Sequence, residues 1–210
     1  MKKKVIILVL VVFVLLAGAA AGIFFWRSST SFEPTESAIY VKKNGKIIEA
    51  GIEDFDVSVY NATELETFVN KEVRNYNAKM SEDRIKVKEI FVENNIATMY
   101  LVYESYEDYQ SFHGETLFVG SLTEALDAGY LEGIDFYSVY KGGIGVEVTL
   151  EDIQLSNDDF KVVVMEERVG IKVAGKVKYV SQNLTLVDDS MVEVLEDIQD
   201  TAEYIIVIYK

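Results

Sequence analysis

Two hydrophobic periods run through this chain, and one long segment follows neither. Val5–Trp26 is an unbroken run of 22 apolar and small residues. As a helix rising about 1.5 Å per residue it would extend about 33 Å, enough for a ~30 Å hydrocarbon core. Residues 28–37 follow as a polar linker holding the only proline, Pro34. From Ala38 onward, short alternating stretches predict strands. Ala38–Lys43 and Lys46–Ile52 flank Asn44-Gly45, which predicts a hairpin with a type I′ turn, because both positions tolerate positive φ. Leu65, Phe68, Val69, Val73 and Tyr76 recur at helical spacing and predict a helix over 62–79. Asn61 caps it, with Glu64 three residues on. A second hairpin is expected from Ile85–Glu93 and Ile96–Tyr103, turning at Asn94-Asn95.

Ser105 with Asp108 predicts a short helix that stops at Gly114, and Ser121 with Glu124 another that ends at Gly129. Leu117–Val119 reads as a brief strand. Phe136–Tyr140 reads as a strand running into Gly142-Gly143, where the chain must bend. Thr149 and Asp152 cap one helical turn. Strands are then expected at Phe160–Glu166, Val169–Val173, Lys176–Val180, Leu184–Val187, Met191–Leu195 and Tyr204–Tyr209, with Ala174-Gly175 turning between two of them. The last strand is apolar on both faces, which predicts a buried central position. The expected class is α+β: an N-terminal membrane helix, then an antiparallel-sheet ectodomain with one long and a few short helices, β-rich toward its end. The expected divisions are 1–27 as cytoplasmic start and anchor, 28–37 as linker and 38–210 as the extracellular domain, with a sub-boundary near 142–148.

Charge orients the first segment. Lys2, Lys3 and Lys4 precede the apolar run and Arg27 closes it. The basic start should stay in the cytoplasm and the following domain outside, in a single-pass arrangement. Ala17-Gly18-Ala19 fits a small-x-small cleavage site, so secretion after signal cleavage is the alternative. The run resumes as Ile23-Phe24-Phe25-Trp26, which favours an anchor with aromatics at the far interface. Gly18 and Gly22 lie on one helix face, a weak signal for helix pairing.

The chain has 20 basic and 35 acidic residues, and residues 28–210 hold sixteen of the bases and all of the acids, a net −19. Such a surface excludes nucleic acid as a partner. It also stays off anionic lipid beyond the anchor. Solubility and spacing explain it, with a basic partner or a divalent cation as the alternative. With no cysteine, disulfides, thiolate metal sites and cysteine nucleophiles are excluded. A domain of roughly 180 residues can stand on its core alone, burying about 70% of its unfolded surface.

Candidate chemistry is sparse. His113 is the only histidine, so a multi-histidine metal site is impossible. It stands beside Gly114 at a predicted helix end, where an imidazolium meets the helix dipole; no nucleophile motif accompanies it. His113→Ala is therefore expected to cost about 0.5 kcal/mol. Glu53-Asp54 with Asp56, Asp158-Asp159 and Asp188-Asp189 read as solvated turns. They lack the alternating ligands and turn glycine of a calcium loop. Gly142-Gly143-Ile144-Gly145 lacks the lysine and spacing of a phosphate loop. Tyr100, Tyr103, Tyr106, Tyr109 and Phe112 read as core and half-buried positions rather than a stacking platform. The sequons at Asn61 and Asn183 match by chance. No catalytic, cofactor-binding or metal residue is assigned.

Residues 47–56, Thr116–Tyr130, Phe160–Val164 and Val173–Ser181 carry a resemblance to uncharacterised cell-envelope lipoproteins of clostridial Gram-positive bacteria. The resemblance implies an envelope location and no established activity. A lipoprotein signal would end Leu-Ala-Gly-Cys, whereas this chain has Leu16-Ala17-Gly18-Ala19. No lipid can be attached there, and the run to Trp26 would supply the anchor instead. The expected function is non-enzymatic binding or scaffolding by a membrane-anchored extracellular domain. Its partners are the lipid bilayer through residues 5–26 and an envelope protein or glycan, with no nucleic acid and no cofactor. Alternatives are a small-ligand module for a glycan or peptide, and a carboxylate-dependent hydrolase.

Overall fold

The structure, a computed structural model, describes residues 32–156, 159–195 and 204–210. The expected membrane helix Val5–Trp26 lies outside these residues. Among the described residues no helix is long and apolar enough to cross a membrane. The element order is β1 (Ala38–Val41), β2 (Ile47–Asp54), α1 (Ala62–Met80), β3 (Ile85–Glu93), β4 (Ile96–Tyr103), α2 (Tyr106–His113), β5 (Leu117–Ser121), α3 (Leu122–Asp127), β6 (Phe136–Tyr140), β7 (Gly143–Val148), α4 (Leu150–Leu155), β8 (Lys161–Met165), β9 (Gly170–Val173), β10 (Val177–Ser181), β11 (Leu184–Asp188), β12 (Met191–Val194) and β13 (Ile205–Tyr209).

The strands form a seven-stranded sheet, β11-β12-β9-β1-β2-β4-β3, and a six-stranded sheet, β5-β8-β13-β10-β6-β7. The α+β class with mostly antiparallel sheets therefore holds. One pair departs from it: β1 and β9 run parallel, Ala38 opposite Gly170 and Val41 opposite Val173. A period-2 pattern says which face a residue takes but not which way its neighbour runs. Both sheets take strands from both sides of residues 142–148.

Side-chain alternation distributes the strands among three cores. The central core joins both sheets and α1, whose Leu65, Val69, Val73 and Tyr76 are buried there as the helical spacing predicts. β13 lies between β8 and β10. It sends Ile205, Val207 and Tyr209 to the central core, and Ile206 and Ile208 to a second core with Ala125 of α3 and Ile153 of α4. All five residues are buried, as expected of a strand apolar on both faces. A third core lies on the other face of the larger sheet, where Phe32 joins Ala38, Ile48, Ala50, Tyr100 and Met191. The expected linker thus ends inside the fold. Phe32 meets Tyr40 at 5.6 Å between ring centroids, and the Ser37 hydroxyl donates to Ile52 O at 3.0 Å while accepting Ile52 N–H at 2.8 Å.

The caps are where the side chains place them. Asn61 accepts from the Thr63 and Glu64 amides, and Ser121–Glu124 and Thr149–Asp152 both close reciprocal capping boxes. The first turn differs from expectation. Asn44 keeps a negative φ and only Gly45 is left-handed, at +85°. Gly45 N–H donates to Lys42 O at 3.0 Å and Lys42 N–H to Lys46 O at 2.9 Å, the pattern of a three-residue loop with a glycine bulge. The left-handed pair belongs instead to Asn94-Asn95, with φ of 52° and 62°, between the paired Glu93 and Ile96. Lys141-Gly142 forms another such pair, and the glycine-rich bend after it is strand β7, which the sequence pattern did not anticipate. Ala174-Gly175 carries the chain from one sheet to the other rather than closing a hairpin.

Candidate functional site

Glu49 breaks the apolar pattern of the central core. Its register sets it between Ile39 of β1 and Leu101 of β4, both core residues. A carboxylate in such a row needs partners that repay its lost hydration. Tyr103, fully buried on β4, donates its hydroxyl proton to Glu49 Oε2. His113, the last residue of α2, brings Nε2 to 3.2 Å from the same oxygen and 2.9 Å from the Tyr103 hydroxyl. The tyrosine's one proton goes to Glu49, so Nε2–H donates to both oxygens.

The electrostatics follow from that geometry. Burial alone would raise the Glu49 carboxyl, but the His113 imidazolium and the two hydrogen bonds outweigh it and hold the group below its ordinary range. Burial alone would lower His113, but Glu49, with Glu167 and Glu115 adding to it, raises it. Tyr103 is pushed well above its ordinary value by burial and by the Glu49 charge. Beside this group the Tyr109 hydroxyl donates to Glu167 Oε2 at 2.5 Å, and the Tyr109 and His113 rings lie 4.3 Å apart. Burial raises both Glu167 and Glu115. Three carboxyl groups of unequal acidity therefore surround one imidazole.

This arrangement is a closed ring and not a relay. A catalytic histidine uses one ring nitrogen for the nucleophile and the other for the orienting carboxylate. Here Tyr103 and Glu49 share Nε2, and Tyr103 has no access to solvent. Among the described residues no buried side-chain nitrogen or oxygen lacks a hydrogen-bond partner, and no group of three His, Asp or Glu is placed to hold a metal ion. The ring locks α2 to the larger sheet.

The other end of α2 is locked separately. Asp108, which caps with Ser105, is buried. It accepts Arg84 Nε at 3.0 Å and Nη2 at 2.8 Å, the Ser105 hydroxyl at 3.0 Å and the Tyr76 hydroxyl at 3.2 Å. Burial would raise Asp108, but the bonds from Arg84 and Ser105 lower it. An acid at the N-terminal turn and an imidazolium at the C-terminal turn both suit the helix dipole.

The remaining sequence candidates fall into turns, cores and one strand end: Glu53 and Asp54, expected in a solvated turn, are instead the exposed last residues of β2, paired with Ala97 and Ile96 of β4. Asp56 Oδ1 accepts Ser58 N–H at 2.9 Å, and Asp188 Oδ1 accepts Ser190 N–H at 2.6 Å. Asp189 pairs with Lys176 at 3.1 Å. Asp158 lies outside the described residues. Tyr100, Tyr103 and Tyr109 are buried, and Tyr106 and Phe112 pack against the central core. Sequence reasoning placed His113 at a helix end, where it is, but missed Glu49, Tyr103 and Glu167 as its surroundings.

A second feature lies at the far edge of the six-stranded sheet. The β6–β7 hairpin holds Tyr140 69% and Val146 72% exposed, with Ile144 also in solvent. It sits in an acidic stretch: residues 89–160 contain fifteen acidic residues and one basic residue, Lys141. Compared with known proteins, the chain matches no family model and is similar to no curated protein and no solved structure.

Proposed function

We propose that this protein is a membrane-anchored extracellular domain that binds or scaffolds another component of the cell envelope and performs no chemistry of its own. The observation that carries this reading is the β6–β7 hairpin, where three of the ten exposed large apolar side chains among the described residues, Tyr140, Ile144 and Val146, gather within seven positions. Aromatic anchors of this kind dominate interfaces. The lysine-led run Val5–Trp26 supports anchoring with the domain outside, and the resemblance to envelope lipoproteins supports the location. One further observation favours a carboxylate-dependent hydrolase: Glu49 is held low in the same cluster that holds Glu167 and Glu115 high, the contrast that separates acid from base in hydrolytic sites. Against that, Glu49 and Tyr103 are already spent on each other and on His113.

The test incubates the purified chain with cell-wall fragments and envelope proteins, and follows both retention and chemical change. Retention of a component in unaltered form is expected. Release of a hydrolysis product that Glu49→Gln abolishes in a still-folded protein would overturn the binding reading in favour of the enzyme.

A further inference from the structure

We infer that the free edge of β7 is a docking strand, which takes an extended, lysine- or arginine-bearing segment of another envelope protein as an added strand of the six-stranded sheet. The inference rests on the binding reading above and names its surface and partner class. β7 ends the strand order of its sheet and is bonded only to β6. No other backbone partner of Gly143–Val148 exists among the described residues. An open edge offers a row of donors and acceptors to any extended chain. Proteins usually blunt such edges with lysine, proline or a bulge. β7 has no lysine and no proline. It does carry a bulge, since Tyr137 pairs with Glu147 but Val139 with Ile144. Gly145 serves that bulge, because a Cβ there would lie 2.7 Å from the Ser138 hydroxyl.

Two of the exposed side chains that would flank an added strand are apolar. Ile144 and Val146 are exposed, and β11, the edge of the other sheet, passes alongside with Val187 half exposed. Charge decides which extended chain fits. The hairpin and the segments leading into and out of it, residues 131–155, carry Glu132, Asp135, Glu147, Glu151 and Asp152 against Lys141 alone. A second copy would bring the same acidic field edge to edge and be repelled, whereas a cationic segment is attracted and oriented.

Hydrogen–deuterium exchange on the full chain in detergent micelles tests this. The probe is a short, end-capped peptide of alternating lysine and valine. The control is the same peptide with alternate backbone amides N-methylated, which keeps the charge but cannot pair along a strand. The unmodified peptide should protect the amides of residues 143–148, and it should bind at least about tenfold more tightly than the methylated one, the margin expected where main-chain bonds supply affinity. Val146→Lys should weaken it by a similar factor while circular dichroism and melting stay unchanged. Equal binding of both peptides would show bulk charge attraction alone and overturn the inference, as would protection outside β7. Peptide-free protection of 143–148 that grows with protein concentration would assign the edge to a second copy and also overturn it. Failure here leaves the binding reading standing, because that reading fails only on the hydrolysis measured with cell-wall fragments.

Discussion

Glu49 and His113 are held in their charged forms by each other, and the consequence is a pH dependence with a definite sign. His113 has its folded value raised above 6.5, so its contribution is complete below 6.5 and is lost as pH rises through the raised value. Glu49 has its folded value lowered from 4.5. Its contribution is present above 4.5 and is lost as pH falls through the lowered value. Glu167, raised from 4.5, is favourable only in acid and opposes folding once ionised. Stability measured by urea denaturation should therefore be greatest near pH 4.5, fall as Glu167 ionises, and decline further as pH rises through the raised His113 value. In His113→Gln that alkaline decline should flatten; parallel curves for the two proteins would refute the coupling. His113→Ala near pH 6 should cost about 2–3 kcal/mol, because it leaves a buried carboxylate with one partner. That exceeds the half-kilocalorie expected from a helix end alone.

At the scale of elements, β13 and the bend before β10 are the sensitive points. Deleting residues 205–209 removes the strand between β8 and β10 and empties part of two cores. Cooperative thermal unfolding should disappear, and a truncated protein that melts like the full chain would contradict the placement. Gly175→Ala should destabilise by about 1–3 kcal/mol in urea, the range for overpacking a tight site. Its Cβ would stand 2.8 Å from Lys210 O, the oxygen that accepts Lys176 N–H at 2.8 Å. Helices were legible in the sequence because Asn61, Ser105, Ser121 and Thr149 announce themselves locally through their caps. β13 was legible because its five residues are apolar whichever way they face. β7 was not, since two glycines interrupt its pattern and most of it is solvent-exposed. Nor was the Glu49 site. Ile47 shares a face with Glu49, while Ile48 and Ala50 share the other, so alternation alone assigns Glu49 to solvent. Its histidine partner lies 64 positions away, a distance at which no local pattern speaks.

Across the whole molecule, net charge and topology set the behaviour. Residues 28–210 carry a net −19, and such self-repulsion is screened by salt. The melting temperature should rise between low and physiological ionic strength, and an unchanged or falling value would show that the acids are matched locally. Protease added to intact protoplasts should digest the domain if Val5–Trp26 anchors it outward; full protection would exclude that orientation. The order of strands also bears on how the chain is made. β1 pairs with β9, and β8 and β10 meet only through β13, so neither sheet can close while the nascent chain is still short of its later strands. A chain emerging N-terminus first would remain unfolded until residues 205–209 are synthesised. In an exported chain, as proposed above, that delay would leave the segments of β8 and β10 without their shared neighbour until the last strand arrives.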